Sequence, residues 1–302
     1  MESQSLAIPI IRSRAADFVQ LTKPRLNALA VATTLGGYYM AGPATVLGPT
    51  GSTGPWLLFN TIVGTALVAG GSAAFNQYYE RVTDGLMRRT RVRPLPGHRL
   101  QPIEALWFAC ALSTIGLVQL AVGANLLAAA VALTTLVAYV CVYTPMKSRS
   151  PFSTLVGAIP GALPPIIGWA AVRGSLEPVS WALFAIGFLW QMPHFLAIAW
   201  LYRADYERAG FPMLPVIEPD GRSTGRQAVA YAAALVPVSL APTAFGLSGS
   251  VYFVAAFVLS VGFLALAIRF AATRSTPSAR ALFFGSILYL PALWAFMIAS
   301  KM

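Results

Sequence analysis

Apolar runs of about twenty residues recur along the whole chain, with short polar breaks between them. Nine can be counted, centred near Thr33, Leu67, Ser113, Leu133, Gly161, Gly187, Leu235, Phe257 and Leu290. Twenty residues of α-helix rise about 30 Å, the thickness of a bilayer's hydrocarbon. Lipid offers no partner to backbone N–H and C=O groups, and the runs are too long and too little alternating for barrel strands. The expected fold is therefore all-α: a polytopic membrane bundle of about nine helices, one integral domain over residues 1–302, with residues 1–20 as a cytoplasmic tail.

Composition agrees, with 57% hydrophobic and only 10% charged residues. A net charge of +11 raises the question of nucleic acid, but the bases are scattered between apolar segments without a basic stripe, so none is expected as a partner. Topology accounts for them better. Threading nine spans puts every Lys and Arg on one side except Arg173 and Lys301, and every Asp and Glu on that side except Glu177. Cytoplasmic loops collect Lys and Arg, so the N-terminus is expected inside and the C-terminus outside. Cys110 and Cys141 lie within apolar runs without CxxC spacing and read as buried core residues. The first sixteen residues lack the apolar core and small-residue cleavage site of a secretory signal.

The polar chemistry concentrates on the basic side. Asn76, Glu80 and Asp84 stand at i, i+4 and i+8, one face of a helix over about two turns, where the second run ends. Carboxylates so placed suit a hard cation such as Mg²⁺; the plain alternative is polar residues at a helix end reaching water, with Asp84 paired to an arginine. Arg88, Arg89, Arg91 and Arg93 follow within six positions, either topogenic or phosphate-binding, and Pro94 and Pro96 stiffen a return over the membrane face. A second segment, Tyr202 to Pro215, brings Asp205 with Arg203 and Arg208, readable as a further metal ligand or as an interfacial ion pair. Lys147 with Arg149, and Lys23 with Arg25, add basic points on the same side. His194 follows Pro193 inside the sixth run, either a core histidine bonded to a neighbouring helix or a substrate contact that includes ligation of a haem iron.

Taken together, these residues resemble the UbiA superfamily of intramembrane prenyltransferases, and within it the protohaem IX farnesyltransferases. The resemblance is nearly full length. It rests on Leu21-Thr22-Lys23-Pro24-Arg25, on Asn76 to Pro96 with its RTRxRPLP segment, and on Tyr143-Thr144 followed by Lys147 and Arg149. It continues through Gly161 to Trp169, Pro193-His194-Phe195, and Asp205-Tyr206 with Gly210 to Pro215. It implies a lipid-open central cavity in the bacterial cytoplasmic membrane, farnesyl diphosphate and haem b as substrates, and haem O as product for a haem A synthase or terminal oxidase. It further implies that Asn76, Glu80 and Asp84 form a first Asp-rich motif and Asp205 a second, holding diphosphate through Mg²⁺. Position 80 is Glu where Asp is frequent, and position 204 is Ala where the haem branch often has a second Asp. That thins the second motif and moves diphosphate binding toward Arg203, Arg208 and Lys147. The implied reaction passes through a farnesyl cation, for which Tyr78, Tyr79, Tyr139, Tyr143, Trp169 and Trp190 are the aromatic candidates for shielding.

Two other readings compete. A transporter would also use apolar helices with a few buried polar groups, but it needs access from both faces and the ionisable residues here occupy one. A prenyltransferase for an aromatic or quinone precursor would share the acidic motifs without the RTRxRPLP, PHF and PMLP segments.

Overall fold

A computed structural model describes residues 13–42 and 54–302, which are helical throughout apart from turns and loops. A short helix, α1 (Arg14–Leu21), leads into α2 (Pro24–Ala41), followed by α3 (Pro55–Tyr79) and a one-turn extension, α4 (Arg81–Leu86). Next come α5 (Pro102–Gly123) and α6 (Leu126–Val137), which runs on through a π-helical turn at Ala138–Tyr143 into α7 (Thr144–Met146). The fifth span is two helices, α8 (Ser153–Ala162) and α9 (Pro164–Arg173), and the sixth is α10 (Pro178–Leu201). Two short pieces, α11 (Arg203–Arg208) and α12 (Leu214–Ile217), precede α13 (Arg222–Ala244), α14 (Ser250–Thr273) and α15 (Thr276–Ala299).

Eight of these helical stretches are long and apolar enough to cross a membrane. The expected first span corresponds to α2, whose 18 residues pack into the same bundle but are diluted by Asn27, Thr33 and Thr34. Arg12, counted above among the bases of one side, lies outside the described residues.

Within the bundle α3 lies along α5, α2 along α9, and α10 against α13 and α15. The α2–α9 contact is the tightest. A Cβ on Gly37 would collide with the Pro165 backbone, and one on Gly168 would collide with the backbone of Thr34 and Tyr38. Thr34 Oγ1 closes the same seam by donating to the Pro164 carbonyl at 3.0 Å. Close backbone approach through small residues is how helices associate where lipid removes the hydrophobic drive between them. Pro164 and Pro165 also divide α8 from α9, because neither supplies a backbone N–H.

The outer surface carries large apolar side chains such as Trp107, Val122, Leu126 and Leu288, all exposed. Lipid contact, rather than protein packing, explains their apolarity, and the same holds for the cysteines. Contrary to the expectation of core residues, Cys110 is half-buried and Cys141 is exposed, because an apolar span has a lipid side as well as a core side.

Candidate active site

The site begins where α3 hands over to α4. Glu80 terminates α3, yet its N–H bonds the Asn76 carbonyl at 2.9 Å and the Asp84 N–H bonds the Glu80 carbonyl at 2.7 Å. The i, i+4, i+8 ladder thus passes through the joint, and Asn76, Glu80 and Asp84 stay on one face. All three are buried, Asp84 completely. They do not reach out to water.

Each oxygen-bearing side chain meets a cation from elsewhere in the chain. Lys23 Nζ donates to Asn76 Oδ1 at 2.8 Å, Lys147 Nζ to both Glu80 oxygens at 3.0 and 3.2 Å, and Arg93 Nη1 to both Asp84 oxygens at 2.9 and 2.7 Å. Lys23 precedes Pro24, which disfavours the right-handed helical region for it, and it takes the left-handed conformation at φ 47°. That conformation costs a side-chain-bearing residue on the order of 1 kcal/mol and here aims the lysine inward. Burial, and then the charge of Arg93, bring the Lys23 ammonium down to about 7. Burial alone would raise the Glu80 carboxyl, but the Lys147 and Lys23 charges outweigh it and hold Glu80 below the usual carboxylate range. Asp84 moves the other way, raised by burial and by the Glu80 charge against the opposing pull of Arg93. Burial alone would lower Lys147, but the Glu80 charge, Tyr206 and the hydrogen bond to Glu80 together outweigh it and hold Lys147 above its ordinary value.

The π turn places Lys147. The Thr144 N–H reaches back five residues to the Tyr139 carbonyl, and Pro145 has no N–H to offer Cys141, so the narrower α turn cannot close. Thr144 Oγ1 donates to the same Tyr139 carbonyl at 2.8 Å and accepts from Asn76 Nδ2 at 3.3 Å. This contact, like that of Lys23 with Asn76, had no signal in sequence spacing.

The segment after α4 folds back over the bundle end. Thr90 Oγ1 donates to the Asp84 carbonyl at 2.7 Å, Leu95 and Leu100 bury against α1, α3 and α5, and Arg99 Nε pairs with Asp17 at 2.9 Å. The α11 segment docks beside it: Met87 packs with Tyr206, Phe211 and Met213, while Lys147 Nζ sits 4.8 Å from the Phe211 ring centre. Arg89 joins the two segments. It donates to Tyr206 Oη at 2.8 Å and lies over the rings of Tyr202 and Tyr206, at 4.9 and 5.0 Å. Asp205 is buried and paired with Arg208, whereas Arg203 covers the Trp200 ring and bonds the Trp200 carbonyl at the end of α10. Arg25, Arg88 and Arg149 are exposed, outside this network of pairs.

Beneath the polar network lies a mostly apolar cavity of about 260 Å³, and Ala73 and Tyr139 line it about one helical turn from Asn76 and Thr144. Leu26, Gln191, His194 and Trp294 are among its other walls. Thr65 Oγ1 is buried in that wall with no partner among the described residues. His194 bonds Ser286 of α15 at 2.7 Å, so it is held by a neighbouring helix while also lining the cavity. Of the aromatic candidates, Tyr139 and Trp190 line the cavity, Trp169 is buried away from it and Tyr79 is exposed.

The oxygen donors suit Mg²⁺ in one way only. Among the described residues no three His, Cys, Asp or Glu side chains converge, so the protein supplies no complete cage. An ion held by one or two of these carboxylates would draw the rest of its shell from water and phosphate oxygens, the usual habit of magnesium.

The arrangement has counterparts. The chain is 48% identical over 295 residues to a protoheme IX farnesyltransferase of Solibacter usitatus (strain Ellin6076), covering 94% of this chain and 98% of that protein. It is 42% identical to the protein of the same name from Koribacter versatilis (strain Ellin345), covering 99% and 98%. Among solved structures, a digeranylgeranylglyceryl phosphate synthase superposes with a TM-score of 0.78 at 15% identity, covering 95% of this chain and 98% of that one. A UbiA homologue from Archaeoglobus fulgidus, bound to DMAPP and Mg²⁺, gives 0.60 at 16% identity, covering 93% and 99%. Both show the fold. Residues 30–299 match the UbiA prenyltransferase family, and with relatives this similar over nearly their whole length, the chain belongs to it.

Proposed function

We propose that this chain is a protohaem IX farnesyltransferase, moving the farnesyl group of farnesyl diphosphate onto a vinyl group of haem b to give haem O. The observation that carries the reading is the buried Asn76, Glu80 and Asp84 face, each member met by a cation, set above an apolar cavity. The relatives named above supply the substrate class.

The reaction breaks an allylic C–O bond, and the diphosphate leaves with the electron pair. The vinyl carbon of haem attacks the farnesyl cation, water captures the new cation, and one proton is released. Lys23, Lys147 and Arg93 are the cations that an incoming diphosphate meets, and their charge counters the charge gathering on the leaving group. Mg²⁺, held by one or two of Glu80, Asp84 and Asp205 with water and diphosphate oxygens completing its shell, would add electrophilic stabilisation of the same leaving group. Arg89 on Tyr206, Arg208 on Asp205 and Arg203 on Trp200 add positive charge from the α11 side, while Arg25, Arg88 and Arg149 provide outer positive charge that draws the diphosphate in. The apolar cavity keeps bulk water from the cation, with Tyr139 and Trp190 in its wall.

By the distribution of Lys and Arg, the site opens to the cytoplasmic side of a bacterial inner membrane, with the N-terminus inside, the C-terminus outside, and the chain forming one integral domain. The product then passes to a haem A synthase or a terminal oxidase. Membranes containing the protein, supplied with haem b, farnesyl diphosphate and Mg²⁺, are expected to form a more hydrophobic haem that retains iron, seen by chromatography and mass. Absence of that product from folded protein overturns the assignment.

A further inference from the structure

Ser286 Oγ sits between two groups. It lies 2.7 Å from His194 Nδ1 and 2.5 Å from the Phe283 carbonyl. A carbonyl only accepts, and donation of the single Ser286 hydroxyl proton to Phe283 at the shorter contact leaves the oxygen with lone pairs to offer the imidazole. With that donation Nδ1 carries the ring proton, and Nε2 of the neutral ring is bare.

The ring has little room to turn. It stacks on Trp190 and on Phe283, with centres 5.4 and 5.1 Å away, and Phe195 tilts against it at 5.7 Å. Trp190 in turn donates through Nε1 to the Ser286 carbonyl at 2.8 Å, so one residue of α15 holds both side chains of α10. Nε2 has no hydrogen-bond partner among the described residues, and His194 borders the cavity.

We propose that Ser286 is a positioning residue: it fixes His194 in the Nδ1–H tautomer so that the bare Nε2 ligates the haem iron. This rests on the haem reading given above. Imidazoles that bind metal usually hold their other N–H in such a bond, which orients the ring and raises its basicity. A ring free to exchange tautomers would at times present N–H to the iron, donating where it must accept. Ligation through a clamped ring leaves the porphyrin mainly rotation about the iron–nitrogen bond, so Ser286 acts on which vinyl edge meets the farnesyl chain.

The tautomer can be read from nitrogen-15 chemical shifts of histidine-labelled, full-length protein in lipid nanodiscs, since the chain has only 2 histidines. A protonated Nδ1 and a bare Nε2 are expected for His194; an Nε2–H ring overturns the proposal. Haem b is then titrated into the same protein. Nitrogen ligation should appear in the Soret band and the iron spin state, and Ser286→Ala should weaken haem binding roughly 10- to 100-fold. Ser286→Thr, which keeps the hydroxyl, should restore most of the affinity and the wild-type spin state. Unchanged affinity and spin state in His194→Ala sinks ligation. Farnesyl transfer by the unaltered protein tests the underlying reading separately: product formed by an enzyme whose haem spectrum ignores His194 defeats this proposal alone.

Discussion

Lys147 and Glu80, 67 positions apart in sequence, form a buried two-oxygen ion pair at 3.0 and 3.2 Å. Removing one partner of such a pair leaves the other charge uncompensated, typically at a cost of about 3–5 kcal/mol. Lys147→Met should therefore lower the melting temperature in detergent clearly and abolish turnover. Adding Glu80→Gln should recover the melting temperature without recovering turnover. If Lys147→Met melts like wild type, Glu80 is reached by water and the pair does not hold the site.

Asp84→Asn keeps the shape of a fully buried side chain while removing its charge. The expected result is a monodisperse, folded protein whose turnover falls by at least about 100-fold. Chelation of Mg²⁺ should have the same effect on the unaltered enzyme and be reversed by adding the ion back. An Asp84→Asn enzyme with near-normal rate would return Asp84 to a purely structural partner of Arg93.

Tyr206→Phe deletes the hydroxyl that accepts from Arg89 and keeps the ring beneath the guanidinium. One hydrogen bond at a part-exposed arginine contributes about 1 kcal/mol, so the KM for farnesyl diphosphate should rise about fivefold with little change in kcat. Arg89→Ala, which loses the ring contacts too, should raise it further. Steady-state kinetics in which neither variant moves KM would show that the two segments are held together elsewhere.

Gly37→Ala drives a methyl into the Pro165 backbone, whereas Gly262→Ala meets nothing within 4 Å. Overpacking costs about 1–3 kcal/mol, and more when the neighbour is backbone that cannot yield. The yield of folded protein should collapse for the first variant and hold for the second, measured by fluorescence-detected gel filtration. Equal yields would mean that α2 and α9 separate freely.

The spans were legible because hydrocarbon thickness sets a length and backbone polarity sets a conformation, so the run near Leu67 could become only a helix such as α3. The Asn76, Glu80 and Asp84 face was legible for a related reason: helical periodicity survives a change of helix segment so long as the i to i−4 bonds continue, as they do at Glu80. What periodicity cannot supply is the partner across space. Neither the meeting of Lys23 with Asn76 nor that of Arg89 with Tyr206 follows from spacing, since each depends on how helices cross. The cysteines show the opposite limit: Cys141 lies in an apolar run, but periodicity there does not tell a lipid-facing side from a core-facing one.

The widened turn at Ala138–Tyr143 gives this chain slack in length in one short stretch that the α-helix before it lacks. The wide turn takes up one residue more than an α turn and would close if it lost one, whereas residues in the α turns of α6 are spaced about 100° apart around the axis, so a deletion there would swing everything beyond it by that angle. Thr144 and Lys147 would then leave Asn76 and Glu80, although no side chain in the site had changed. Homologues that differ in length by one residue within 126–137 should therefore either carry a compensating change nearby or have lost the reaction, while loss of one residue within 138–143 should be tolerated.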